Sequence, residues 1–114
     1  MKLAVIGSRS INDYILVRNI LMKIDGIDEI VSGGADGVDS LAKLYAHNNN
    51  IKLTVFYPDW GKYGRSAGYK RNRQIVDYAD RVLAFWDGES VGTTHSFKLA
   101  KDMGKPIEII KVIQ

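Results

Sequence analysis

Four short stretches hold the residue types that bind or transform anions. They are Gly7-Ser8-Arg9, Gly33-Gly34-Ala35-Asp36-Gly37 with Asp39, a basic stretch holding Trp60, Arg65, Arg71 and Asn72, and Gly88-x-Ser90-x-Gly92-Thr93-Thr94. Glycine lets a ligand approach the main chain. An arginine guanidinium matches a phosphate or carboxylate with two parallel hydrogen bonds. Hydroxyls and free amides at a helix start attract phosphate. On these grounds the last stretch is the best phosphate cradle, although it lacks the lysine of the Walker loop. Its plainer reading is a capped turn. Asp36 and Asp39 have the wrong sign for phosphate and suit ribose hydroxyls or an exocyclic amine. Either would also serve as a helix N-cap. Trp60 beside a basic loop is placed either to pack or to stack on a base.

Composition narrows the chemistry. The chain has 114 residues, 46% hydrophobic and 25% charged, which suits one globular domain. It has no cysteine and two histidines, His47 and His95, with no metal-ligand spacing, so no metal and no cofactor is expected. No apolar run approaches a bilayer span, and Met1–Gly7 turns polar too soon for a signal peptide. A reducing cytoplasm is therefore the expected compartment, with no membrane partner. The net charge of +3 is local. Gly61 to Ile75 holds Lys62, Arg65, Lys70, Arg71 and Arg73 and no acid, and the rest of the chain is slightly acidic. One patch favours a small anionic ligand, with nucleic acid ranked behind it.

The elements that must position these stretches follow from periodicity. Leu3–Ile6, Glu29–Ser32, Leu53–Phe56, Val82–Trp86 and Ile107–Ile110 are short apolar runs with turn residues beyond them, and read as buried strands. Between them, Val17-Ile20-Leu21-Ile24, Val38-Leu41-Ala42-Tyr45, Asn72-Ile75-Val76-Ala79 and Ser96-Leu99-Ala100-Met103 repeat at helical spacing. Asn12 or Asp13 would cap the first helix and Gly26 would end it. A long aromatic and glycine-rich loop precedes the third. The alternation predicts a single α/β domain, Rossmann-like and three-layered (α/β/α), with a five-stranded, mainly parallel sheet, strand 1 central, and four helices. Glycines 7, 33, 34, 37, 64, 68, 88 and 92 then fall between a strand and the helix after it. Ligands of such sheets sit at that edge.

The same stretches, taken in order with Ser32-Gly33-Gly34-Ala35-Asp36-Gly37-Val38-Asp39 and Ala67-Gly68-x-x-Arg71-Asn72, resemble the SLOG superfamily over nearly the whole chain. This Rossmann-like group contains the DNA-processing protein DprA and the Lonely-guy phosphoribohydrolases. The resemblance points to its small YspA/YpsA-related branch. It implies a nucleotide or nucleotide-derived ligand, ADP-ribose-like or a nucleoside phosphate, bound by a sensor or ligand-binding module that forms a homodimer. It implies ligand contacts for Gly7, Ser8 and Arg9, for Gly33, Gly34, Asp36, Gly37 and Asp39, for Arg71 and Asn72, and for Gly88, Ser90, Gly92 and Thr93. Ser96 stands where the Lonely-guy enzymes carry glutamate, so a nucleotide N-glycosidic hydrolase, the alternative, would need a loop acid, Asp36, Asp39 or Glu89, in its place, with Asp36 and Asp39 the catalytic candidates. A further alternative is DprA-like single-stranded DNA binding through Trp60, Arg65, Lys70, Arg71 and Arg73.

Overall fold

The computed structural model describes residues 1–113. β1 (Lys2–Gly7) is apolar on both faces, and Leu3, Ala4 and Val5 are wholly buried, so it takes the centre of a sheet. β2 (Glu29–Gly33) and β4 (Arg81–Trp86) flank it, and β3 (Lys52–Phe56) and β5 (Ile107–Lys111) form the edges. The order is β3-β2-β1-β4-β5 and every pairing is parallel, with Ala4 opposite Val31 on one side and Val82 on the other.

Alternate residues of the strands feed two cores. Leu3, Val5, Ile30, Leu83 and Phe85 face Val17 and Leu21 of α1 (Tyr14–Leu21) and Val38, Leu41 and Tyr45 of α2 (Val38–Asn48). Ala4, Ile6, Val31, Val82 and Ala84 face Ile75 and Val76 of α4 (Ala67–Tyr78) and Ala100 of α5 (Val91–Asp102). The three layers expected from the sequence are therefore present, with strand 1 central and the sheet wholly parallel. No helix among the described residues is long and apolar enough to cross a membrane.

Three local expectations need correction. α1 starts on Asp13, whose carboxylate accepts the Leu16 N–H at 3.1 Å, but it ends at Leu21. The chain then tightens, with Lys23 and Ile24 N–H bonded three residues back, so Gly26 lies in the connection to β2 and does not cap the helix. The cap of α2 is Gly37, not Asp36 or Asp39. The loop after β3 holds a fifth helix, α3 (Trp60–Tyr63), and a 3₁₀ turn (Gly64–Ser66) that runs into α4. Its glycines hide any periodicity; the one local signal is Asp59, which caps Lys62 N–H at 3.0 Å.

The chain winds from β1 outward to β3, then crosses back to β4 and on to β5. Loops leaving β1 and β4 therefore diverge, and a crevice opens between them at the C-terminal ends of the strands.

Candidate functional site

The walls of the crevice are held by close packing of its loops. Gly37 has φ +75°, and a Cβ there would lie 2.5 Å from Ser8 O and 2.6 Å from Arg9 Cα. Only glycine lets the β2–α2 turn press against the β1–α1 turn. Gly7 is equally confined, by Phe85 O and the Val38 side chain. Ser8 is buried and ties the two central strands together. Its N–H donates to Phe85 O at 3.0 Å and its Oγ accepts the Asp87 N–H at 3.1 Å. Asp87 then organises the β4–α5 turn. It accepts Ser10 Oγ–H at 2.7 Å and the N–H groups of Glu89 and Ser90, both at 2.8 Å. These bonds, the Ser10 hydroxyl first, hold its carboxyl down at about 2.

Between these walls lies a cavity of about 430 Å³, within the range of small-ligand sites. From the β1 loop it is lined by Gly7, Arg9 and Ser10, from the β2 loop by Ala35 and Asp39, and from α4 by Arg71, Asn72 and Ile75. Asp87, Ser90, Gly92, Thr93 and Ser96 complete it from the β4–α5 side.

Arg71 and Asp39 form its charged floor. The Arg71 guanidinium and the Asp39 carboxylate both crowd Gly33: a Cβ there would sit 2.5 Å from Arg71 Nη1 and 2.9 Å from Asp39 Oδ2. Arg71 Nε donates to Asn72 Oδ1 at 3.0 Å, which fixes a side chain that lines the crevice. Burial lowers the Arg71 pKa, and the neighbouring Asp39 charge opposes that shift. Asp39 is buried, and desolvation raises its carboxyl to about 6. Ser32 Oγ lies 2.9 Å from its Oδ1 and the Ala35 N–H donates to its Oδ2 at 3.2 Å, so both oxygens hold the β2–α2 turn in place. Of the two acids considered as catalytic candidates, Asp39 lines the cavity and Asp36 lies exposed outside its lining.

At the start of α5 the hydroxyls turn inward on their own helix. Ser90 Oγ caps the Thr93 N–H at 3.5 Å and lies 3.0 Å from Thr93 Oγ1, and Thr94 Oγ1 donates to Ser90 O at 2.9 Å. What this turn leaves for an anion is backbone: the first N–H groups, of Val91 and Gly92, have no acceptor within the helix. The side of Gly92 is open space. Asn72 links the two helices, its Nδ2 lying 3.5 Å from both Gly92 O and His95 Nδ1. Burial lowers the His95 pKa.

The other expected residues lie apart. Gly34 is covered by the ring of Tyr57 and lines a separate small cavity with Gly33. Gly88 (φ +90°) faces the Lys111 side chain, and Thr94 opens onto a shallow apolar hollow with Tyr69 and Val91. Trp60 and Arg65 are exposed and outside the crevice lining. Sequence reading missed Ser10 and Asp87 as wall residues. Their signal was present, since Asp87 directly after β4 and Ser10 three residues after β1 are turn-forming types in the loops leaving two adjacent strands.

The sequence profile of the YspA, cpYpsA-related SLOG family matches residues 1–63, more than half of the chain. The chain belongs to that family. Gene 61 protein of Mycobacterium phage D29 is similar to this SLOG chain, 37% identical over 84 residues that cover 68% of this chain and 67% of the relative. Among solved structures, DNA processing protein A from Helicobacter pylori superposes with a TM-score of 0.73 at 25% identity over 96% of this chain. That structure was described for its single-stranded DNA binding mode, and the SLOG chain spans 64% of its length. Arg71, Asn72 and the α5 turn fall beyond the profile match and reach the crevice through the fold.

Proposed function

We infer that this SLOG domain binds a nucleotide or nucleotide-derived anion in the crevice between β1 and β4. The observation that carries the reading is convergence. Arg9, Arg71 and Gly92 in the first turn of α5 line one cavity at the switch point of the sheet, and no carboxylate lies within 4.0 Å of either guanidinium among the described residues. Two forked cations with a helix N-terminus suit a phosphate. The test is a thermal-shift and calorimetric screen with AMP, ADP-ribose, NAD and cyclic nucleotides. The expected result is a rise in Tm with at least one of them, lost in Arg9→Ala and in Arg71→Ala. A ligand at a hundred times its Kd adds about 2.7 kcal/mol to stability, so binding cannot stay hidden. No stabilisation at millimolar nucleotide would overturn the reading.

A second reading is single-stranded DNA binding. It is favoured by the exposed run Trp60, Lys62, Tyr63, Arg65, Lys70 and Arg73, where rings and cations alternate on α3 and α4, together with the likeness to the DNA-binding relative. Its signature is an affinity that falls steeply with salt and a Trp60 fluorescence change on adding oligothymidylate. A flat salt response would discard it.

A further inference from the structure

Arg71 lines two cavities. The first is the crevice already described. The second, about 330 Å³, lies between the end of β3 and α3–α4, shares Arg71 with the first, and is also lined by Tyr57, Lys62, Tyr63, Lys70 and Gln74. Its charge is lopsided. Lys62 Nζ and Lys70 Nζ stand 5.1 Å and 4.8 Å from the centroid of the same Tyr63 ring, and Arg71 adds a third cation. The acid in its lining, Asp59, uses one oxygen to cap the Lys62 N–H. None of the three cations has a carboxylate within 4.0 Å among the described residues. Bringing two ammonium groups onto one ring and a guanidinium beside them costs repulsion, and an anion placed among them relieves it. The tyrosine rings at its wall suit a base or sugar.

We propose that this second cavity is an anion subsite, and that the ligand of the domain carries two phosphate groups, one in each of the cavities that Arg71 lines, as two successive nucleotides do. The proposal rests on the nucleotide reading above and narrows it. A mononucleotide fills one cavity; a 5′-phosphorylated dinucleotide fills both. Calorimetry with AMP, with the dinucleotide pApA and with the octanucleotide (dA)8 tests it, on the wild-type chain and on Lys62→Ala/Lys70→Ala. In the wild type, pApA binds about tenfold or more tightly than AMP, the equivalent of one added charge-assisted contact. In the double variant that ratio falls to about one, and in Lys62→Arg/Lys70→Arg it persists, because the charge is retained. An affinity that levels off at pApA marks a free dinucleotide as the source of the two phosphates. One that climbs further with (dA)8 marks a strand. AMP binding without any gain for pApA, or a gain that survives in Lys62→Ala/Lys70→Ala, overturns the second subsite alone. Absence of binding by AMP and pApA alike overturns the nucleotide reading with it.

Discussion

The two edges of the sheet treat charge in opposite ways. At the N-terminal ends of the strands several charges are matched by partners within the molecule. The buried Glu29 accepts the hydroxyls of Thr54 and Tyr78, both at 2.7 Å, and meets Lys52 at 3.4 Å. These bonds, Thr54 first, lower its pKa. Asp80 accepts the Lys2 N–H at 2.8 Å, Lys105 Nζ donates to Ala79 O at 2.7 Å, and Asp28 pairs with the N-terminus. At the C-terminal ends Arg9, Arg71, Lys62 and Lys70 have no such acid partners among the described residues, and Asp39, Asp59 and Asp87 are turned to holding loops. This difference in charge pairing is what the proposed ligand site at the C-terminal edge rests on.

The contrast can be broken most severely through two glycines with the same backbone angle. Gly37 (φ +75°) is hemmed in by Ser8 and Arg9, whereas Gly26 (φ +78°), in the connection at the opposite edge, has open space where a Cβ would lie. Gly37→Ala should cost about 3 kcal/mol or more in urea unfolding, since loops must separate as well as strain be accepted. Gly26→Ala should cost only about 1 kcal/mol, the left-handed penalty alone. Equal costs would mean that the crevice loops are not pressed together.

A second contrast separates stability from binding. Glu29→Ala orphans two buried-side hydroxyls and should lose about 2 kcal/mol of stability with nucleotide affinity untouched. Arg71→Ala should do the reverse, weakening nucleotide binding by about 2 kcal/mol, roughly thirtyfold, while moving stability less than Glu29→Ala does. Denaturation and calorimetry on both variants check this.

The two wall acids differ as well. Asp39 titrates at about 6 in the folded chain against 3.8 without the fold, so the native state binds this proton more tightly. Its contribution is therefore largest below pH 3.8 and is lost as pH rises toward 6 and just beyond. Between pH 5 and pH 7 the wild type should lose about 1 kcal/mol relative to Asp39→Asn, which lacks the titration. Asp87, held at about 2, has the opposite sign: its contribution is present above pH 3.8 and disappears as pH falls through 2. An Asp39 carboxyl carbon signal titrating near 4 would remove the desolvated floor from the site.

The smallest effect belongs to residues that the sequence grouped with the site and the structure does not. Trp60→Ala and Arg65→Ala should leave AMP affinity within about twofold, because neither lines the crevice. Their inclusion shows where sequence reading stops. Alternating strands and helices, the central first strand and the converging glycine turns were legible because burial and turn chemistry leave periodic marks at Leu3–Gly7, Val38–Tyr45 and Gly33–Gly37. Direction was not legible. Nothing in the run Gly61 to Ile75 tells Arg71, folded under Gly33 and tied to Asn72, from Arg65, which points to solvent. Nor does Ser90-x-Gly92-Thr93-Thr94 reveal that its hydroxyls bond to one another and to the backbone of their own helix. α3 escaped because it is a single turn with Gly61 inside it and Gly64 at its end.

Amide chemical-shift mapping during titration with AMP tests the central claim most directly. Perturbed signals should cluster at Gly7–Ser10, Ala35, Asn72 and Val91–Thr93, with Glu29, Thr54, Tyr78 and Asp80 at the opposite edge unmoved. Shifts centred on that opposite edge, or none at saturating nucleotide, would contradict it.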